Sequence, residues 1–141
     1  MLSRRELSEA QVRQRLARRG HDSDSIESAV ARLKEERAID DQRTAAAIAR
    51  TQTGVKGRGR ARVKREMERA GIDRAEARRA IDDVFTQIDE DQLIDTVLAR
   101  RARGRDLEDD AVFRRLYRFL MGQGFDHERV MKALRSRRTG A

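Results

Sequence analysis

The chain contains no cysteine, no proline and no tryptophan, and its 141 residues include only one tyrosine and four phenylalanines. Without cysteine there are no disulfides, no thiolate nucleophile and no thiolate metal site, which fits a reducing, cytoplasmic setting. No proline interrupts the Arg/Glu/Ala-rich runs, and these favour helix by intrinsic propensity. With so few aromatics the packing falls to Ala, Leu, Ile and Val, which suits thin helical layers better than a sheet sandwich. No apolar run approaches the ~18 residues of a membrane span, and "MLSRRELSEA" lacks the apolar core of a secretory signal. The only histidines, His21 and His127, stand alone, with no second His at helical spacing and no Cys, so zinc chemistry has no ligand set.

Charge is what the chain has in quantity. Charged residues make up 41% of it, and 33 basic against 25 acidic residues leave a net +8. That balance favours polyanions or acidic protein surfaces as partners, although Arg-rich helices also occur simply as solvated faces.

The chain repeats itself. Gly20-His21-Asp22, Gly71-Ile72-Asp73 and Gly124-Phe125-Asp126 lie 51 and 53 residues apart. In each, the Gly is suited to the left-handed turn that closes a helix, the next residue folds back on that helix, and the Asp caps the following one. Asp73 with Glu76 reads as a variant capping box, and Ser8 with Gln11 as another. The pairs Val12/Leu16, Val63/Met67 and Leu116/Leu120 precede the glycines at i, i+4. The sets Ile26/Ala29/Val30, Ala77/Ala80/Ile81 and Val130/Ala133/Leu134 follow them at i, i+3, i+4. A third helix starts after Asp40 and again after Asp89, with apolar faces on Ala45, Ile48 and Ala49, then on Ile94, Val97 and Leu98.

The sequence therefore predicts an all-α array of tandem three-helix repeats, two complete and the third truncated, elongated and able to curve. Helices are expected over 9–19, 23–36, 41–52, 60–70, 74–87, 90–102, 110–122 and 127–137, with residues 1–7 a stub of an earlier helix. The period divides the chain into 1–53, 54–104 and 105–141, the last with a basic tail, and the connections near 53–59 and 103–109 read as hinges. No long apolar stripe is left over for a second copy, so a monomer is expected.

The stretch "GVKGRGRARVK", residues 54–64, raises the question of a phosphate cradle. The glycine spacing is wrong, no Lys-Ser or Lys-Thr follows, and the residues upstream read as helix rather than strand. Gly54 instead ends one helix and Gly59 opens the next. Arg58, Arg62, Arg65 and Arg69 follow at i, i+4, i+7, i+11 and form a basic stripe facing away from Val63 and Met67, with Lys64 beside it. A shift of 53 carries Arg62 to Arg115 and Arg65 to Arg118, with Arg114 alongside, whereas in the first repeat the same positions are Gln11 and Gln14. Acids crowd residues 82–95, where no basic residue occurs, and suggest separate basic and acidic faces. Phe113, Tyr117 and Phe119 interleave with these arginines, a pattern of base stacking and, more commonly, of packing. No arrangement of nucleophile, base or metal ligands supports an enzyme, and no cofactor is implied.

Four segments, in order, resemble one family: "RRELSEAQVRQRLARRG" (4–20), "RLKEERAIDDQRTAAA" (32–47), "KGRGRARVKREMERAGID" (56–73) and "RRLYRFLMGQGFDHERV" (114–130). The chain resembles RecX, the bacterial regulator of the RecA recombinase, over about residues 4–135. Three positions depart from the family pattern: Arg37 where glycine is usual, Thr44 where an aromatic is frequent, and His21 in place of an apolar residue. The resemblance implies three-helix repeats that bind the RecA filament on ssDNA along its groove. It also implies inhibition of ATP hydrolysis, strand exchange and co-protease activity, with no catalytic residues. Within it, Arg58, Arg62, Lys64, Arg65, Arg69, Arg114, Arg115 and Arg118 are the candidate contacts to acidic filament surface or to DNA. Composition alone also allows a nonspecific nucleic-acid-binding module, whose binding would fall steeply with salt.

Overall fold

The structure, a computed structural model, describes residues 6–139. Those residues form helices α1 (Glu9–Arg18), α2 (Ser23–Glu35), α3 (Asp41–Arg50), α4 (Arg60–Arg69), α5 (Arg74–Thr86), α6 (Glu90–Arg101), α7 (Asp110–Gly122) and α8 (His127–Arg138), with no strand among them. A π-helical turn, Thr51–Val55, prolongs α3. Of the expected N-terminal stub, residues 1–5 lie outside the described residues, and Glu6 and Leu7 are not helical.

Local chemistry sets the helix ends. Ser8 makes the reciprocal capping box: its Oγ accepts from the Gln11 amide at 3.1 Å and its own amide donates to Gln11 Oε1 at 2.9 Å. Asp22, Asp40, Asp73, Asp89, Asp109 and Asp126 cap the later helices through their carboxylates, except α4, which opens at Gly59 without a side-chain cap. At Asp73 the expected box does not form: its carboxylate accepts from the Ala75 amide at 3.1 Å, one residue short of Glu76, and Glu76 turns to Arg79 at 3.0 Å instead of reaching back to the cap. All three glycine turns are Schellman closures. In the middle one Gly71 N donates to Glu68 O at 3.0 Å and Ile72 N to Met67 O at 3.1 Å. Ile72 and Phe125 fold back and are buried, while His21 at the first turn stays exposed. A fourth such closure ends α2, and there Arg37 adopts the left-handed conformation, φ 59°, that glycine would take without strain.

The packing unit is out of phase with the sequence period. One core joins α3, α4 and α5 through Ala45, Ala49, Val63, Met67, Ile72, Ala77, Ile81 and Phe85. A second joins α6, α7 and α8 through Ile94, Leu98, Leu107, Leu116, Leu120, Phe125, Val130 and Leu134. Leu93 packs against both. The helices that the period 1–53, 54–104, 105–141 places third in a repeat therefore belong to the core of the next one. Packing divides the chain near 36–40 and 87–89, leaving α1 and α2 as a leading pair. Periodicity shows which side of a helix is apolar and is silent about which neighbour covers it. The small Ala45 and Ala49 let α3 settle closely on α4 and α5, and this decides the grouping.

One seam occurs twice between units. The start of α1 docks on the Gly71 turn: Ser8 Oγ donates to Ala70 O, and a Cβ at Gly71 would strike Ala10. The start of α4 docks on the Gly124 turn in the same way. Gly59 N donates to Gln123 O at 2.8 Å and Ala61 N to Gly124 O at 3.1 Å. A Cβ at Gly124 would strike the Arg62 backbone, and one at Gly59 would lie 2.6 Å from Gly124 O. Gly71 and Gly124 provide close approach as well as positive φ, whereas Gly59, in extended backbone, provides close approach alone. The first connection read as a hinge is thus built into the packing, with Thr53 and Gly59 buried, while the second, 103–109, is anchored by Leu107 and otherwise exposed.

The acids of residues 82–95 do not make a separate face. Asp82 and Glu90 hold Arg60 at 3.0 and 3.2 Å, and Arg60 also lies over the Phe85 ring at 4.9 Å. Asp91 takes Arg129 at 2.9 Å and Lys132 at 3.7 Å. Carboxylates clustered in sequence meet cations from α4 and α8 in space, and one of these pairs, Arg60–Glu90, joins the two cores.

Candidate polyanion-binding face

The candidate arginines lie on, or just before, the first helix of the second and third sequence repeats, α4 and α7. On α4, Val63 and Met67 are fully buried, and the side away from them carries Arg62, Arg65 and Arg69. Lys64 is elsewhere. At 100° per residue it falls roughly 160° around the helix from Arg62, and it rims a groove between α4 and α5 with Arg60, Arg74 and Arg78. Arg58 precedes the helix and points inward. Its side chain is 19% exposed and its Nη1 donates to Gln52 Oε1 at 2.8 Å. Its Nε is buried without a hydrogen-bond partner.

Glu66 organises this surface. Its Oε2 receives Arg62 at 3.2 Å, Arg69 at 3.5 Å and Arg58 at 3.9 Å. One carboxylate, 19% exposed, thus serves three guanidinium groups and fixes their heads. Arg65 stays exposed and enters no ion pair among the described residues.

The face continues onto α7. Arg62 Nη1 also donates to Gly122 O at 3.1 Å, and Gly122 stands one turn beyond Arg118 on the side of α7 that carries Arg115. Arg114, Arg115 and Arg118 are all exposed. Towards the N-terminus it continues onto α1. Arg15 and Arg18 share a hollow of about 350 Å³ with Gln11, Gln14, Glu66 and Arg69. Both were absent from the sequence-derived set, yet a signal for one existed. The shift of 51 that equates Arg62 with Gln11 also equates Arg69 with Arg18, one helical turn past the positions compared. Arginines from α1, α4 and α7 therefore lie along one side of the chain, with Lys64 and the inward Arg58 off the line.

No helix of the described residues is long and apolar enough to cross a membrane. Nor do those residues contain a group of three or more His, Asp or Glu arranged to hold a metal.

Residues 1–33 match the first three-helix domain of RecX and residues 40–81 match the second. The regulatory protein RecX of Syntrophotalea carbinolica is 34% identical over 130 residues, covering 89% of this chain and 83% of the relative. The chain belongs to the RecX family. The regulatory protein RecX of Chromohalobacter salexigens is 32% identical over 136 residues, covering 95% of this chain and 86% of its own. The crystal structure of RecX from Lactobacillus salivarius superposes with a TM-score of 0.72 at 18% identity, over 92% of this chain and 84% of that one, and shares the fold. The match to the second RecX domain spans α3, α4 and most of α5, the helices that share a core here, so the family's domain follows the packing and not the 51-residue period.

Proposed function

We propose that this RecX-family chain binds the RecA filament on ssDNA along its helical groove and restrains it, lowering ATP hydrolysis, strand exchange and co-protease activity. It acts as a cytoplasmic monomer, without catalysis of its own. The observation that carries the reading is the line of arginines from α1, α4 and α7, held in place by Glu66 and by the seam at Gly122–Gly124. A repeating partner surface offers carboxylates or phosphates at intervals, and a row of cations along an array of repeats suits it. Arg62, Arg65, Arg69, Arg114, Arg115 and Arg118 supply the outer contacts, and Arg58 supports them from behind Glu66.

The test is RecA's ssDNA-dependent ATP hydrolysis, titrated with this protein at near-physiological salt beside its binding to ssDNA alone. Inhibition well below the concentration that coats naked DNA supports filament-directed action. Reversal of Arg62, Arg65 and Arg69 to Glu is expected to abolish it while helical content survives. The second reading, a nonspecific nucleic-acid-binding module, draws on the exposed arginines of α7. It predicts inhibition only where DNA is saturated, and lost in step with DNA binding as salt rises.

A further inference from the structure

The connection from α3 to α4 places an apolar side chain in water. Val55 is 75% exposed, the one large hydrophobic residue so exposed among the described residues. The matching connection from α6 to α7 does the opposite with Leu107, which is buried at 7%. The difference lies in the backbone. After α3 the chain makes a π-helical turn, Thr51–Val55, that turns Gln52 and Thr53 inward, with Thr53 Oγ1 donating to Ala49 O at 2.8 Å, and delivers Val55 outward. Single π turns of this kind recur at functional sites.

Val55 borders a hollow of about 310 Å³ whose apolar lining includes Val97 and Phe119. Lys56, Arg100 and Arg101 stand at its edge, and no carboxylate lines it. In a chain where cations of one helix repeatedly pair with acids of another, three cations around an apolar floor without a counter-charge form a complementary half. One face of the Phe119 ring is already covered by Arg101, whose Cζ lies 4.3 Å from the centroid, which leaves less of the ring for stacking by a nucleobase. An apolar floor with a cationic rim fits a protein side chain flanked by carboxylates.

We infer that the Val55–Val97–Phe119 patch is a docking site for a segment of the partner protein in which Asp or Glu residues flank an apolar side chain, the carboxylates meeting Lys56, Arg100 and Arg101. This rests on the reading that the partner is the RecA filament, and places a protein contact beside the arginine line. The two surfaces adjoin at a small cavity shared by Arg101, Arg115 and Phe119.

Val55→Ser and Arg100→Gln, singly and together, separate the possibilities, since both side chains are exposed and neither supports a core. Three quantities are measured: the concentration giving half-inhibition of RecA's ATP hydrolysis, ssDNA affinity by fluorescence anisotropy without RecA, and Tm. The double variant is expected to need about tenfold more protein for half-inhibition, while Val55→Ser leaves ssDNA affinity and Tm unchanged. Unchanged half-inhibition by both variants, with the wild type active, overturns the docking site and leaves the filament reading intact. A fall in ssDNA affinity for Val55→Ser that matches the loss of inhibition overturns it too, because the occupant is then nucleic acid. A wild-type protein that does not inhibit RecA overturns the reading of function itself, and with it the partner assigned to this patch.

Discussion

Alanine at Gly20, Gly71 and Gly124 separates the cost of a turn from the cost of a seam. All three residues have positive φ, at 90°, 74° and 99°, and all three close a helix in the same way. Each substitution therefore carries a common backbone penalty of about 1–2 kcal/mol. The surroundings differ. A Cβ at Gly20 meets nothing within 4 Å, one at Gly71 meets the Ala10 methyl, and one at Gly124 meets the amide and Cα of Arg62. A methyl forced into packed backbone adds roughly 1–3 kcal/mol. It also strains two seam hydrogen bonds, Gly59 N to Gln123 O and Ala61 N to Gly124 O, worth about 1 kcal/mol each. Gly124→Ala should thus be less stable than Gly20→Ala by at least about 2 kcal/mol, with Gly71→Ala between them. Urea unfolding followed by circular dichroism at 222 nm reads this directly. With a slope near 1.5 kcal/mol/M the midpoints should separate by roughly 1 M or more. Equal midpoints for Gly20→Ala and Gly124→Ala would refute the seam, because the glycines would then serve their turns alone.

Four further outcomes are expected. Arg37→Gly should raise stability by about 0.5–1 kcal/mol, since Arg37 is held at φ 59° where glycine is unstrained, and a urea midpoint reads the gain. In double-mutant cycles, Leu98→Ala should couple with Leu134→Ala, its partner in the α6–α8 core, by about 0.5 kcal/mol or more, and should add independently to Met67→Ala across the core boundary. The Glu9 carboxyl sits below its ordinary value of 4.5, chiefly through a hydrogen bond from Lys34, with burial opposing and Arg13 assisting. A lowered folded-state value means stability that is complete above the ordinary glutamate range and lost as pH falls through the lowered value. Lys34→Met should weaken that acid-side dependence at the α1–α2 pair, leaving the smaller part due to Arg13, with neutral-pH helical content in place. Glu66→Gln should strengthen ssDNA binding by about 1 kcal/mol, roughly fivefold, by releasing guanidinium groups from an internal counter-charge. It should also steepen the salt dependence by roughly 0.7 for each further phosphate engaged, and unchanged anisotropy titrations would show that the carboxylate does not compete with polyanions.

Helix positions were legible in the sequence because their signals are local. The Gly-x-Asp turns, the Ser8–Gln11 box and the i, i+4 pairs place each boundary within one or two residues. Arg37 shows the same strength in reverse: a residue standing where glycine is usual in the family does occupy a left-handed position. What was not legible depends on which helices meet. Ala45 and Ala49 look like the end of one repeat but supply the core of the next. Asp82, Glu90 and Asp91 look like an acidic block but face Arg60, Arg129 and Lys132. Arg58 continues the arithmetic of the stripe, yet it precedes the first turn of α4, so helical spacing does not govern it and it turns in towards Gln52. Lys64 is adjacent in number and remote around the axis.

The glycine-rich stretch ties the fold to the candidate face. Gly59 has no side chain because the Gly124 carbonyl and the Phe125 ring occupy the space where one would stand. That close approach brings the start of α4 against the end of α7 and lets Arg62 reach Gly122 O while still holding Glu66. The first seam uses Ser8 in the same place, donating to Ala70 O, and brings Arg15 and Arg18 of α1 into one hollow with Arg69. The device that repeats the fold therefore also repeats the arginines, and each added unit extends the same cationic line. A phosphate cradle would have needed backbone amides left open to a ligand; here the amides of Gly59 and Ala61 are already engaged by the next unit, at Gln123 O and Gly124 O. The glycines serve protein–protein packing within the chain, and the recognition chemistry falls to the guanidinium groups that this packing lines up.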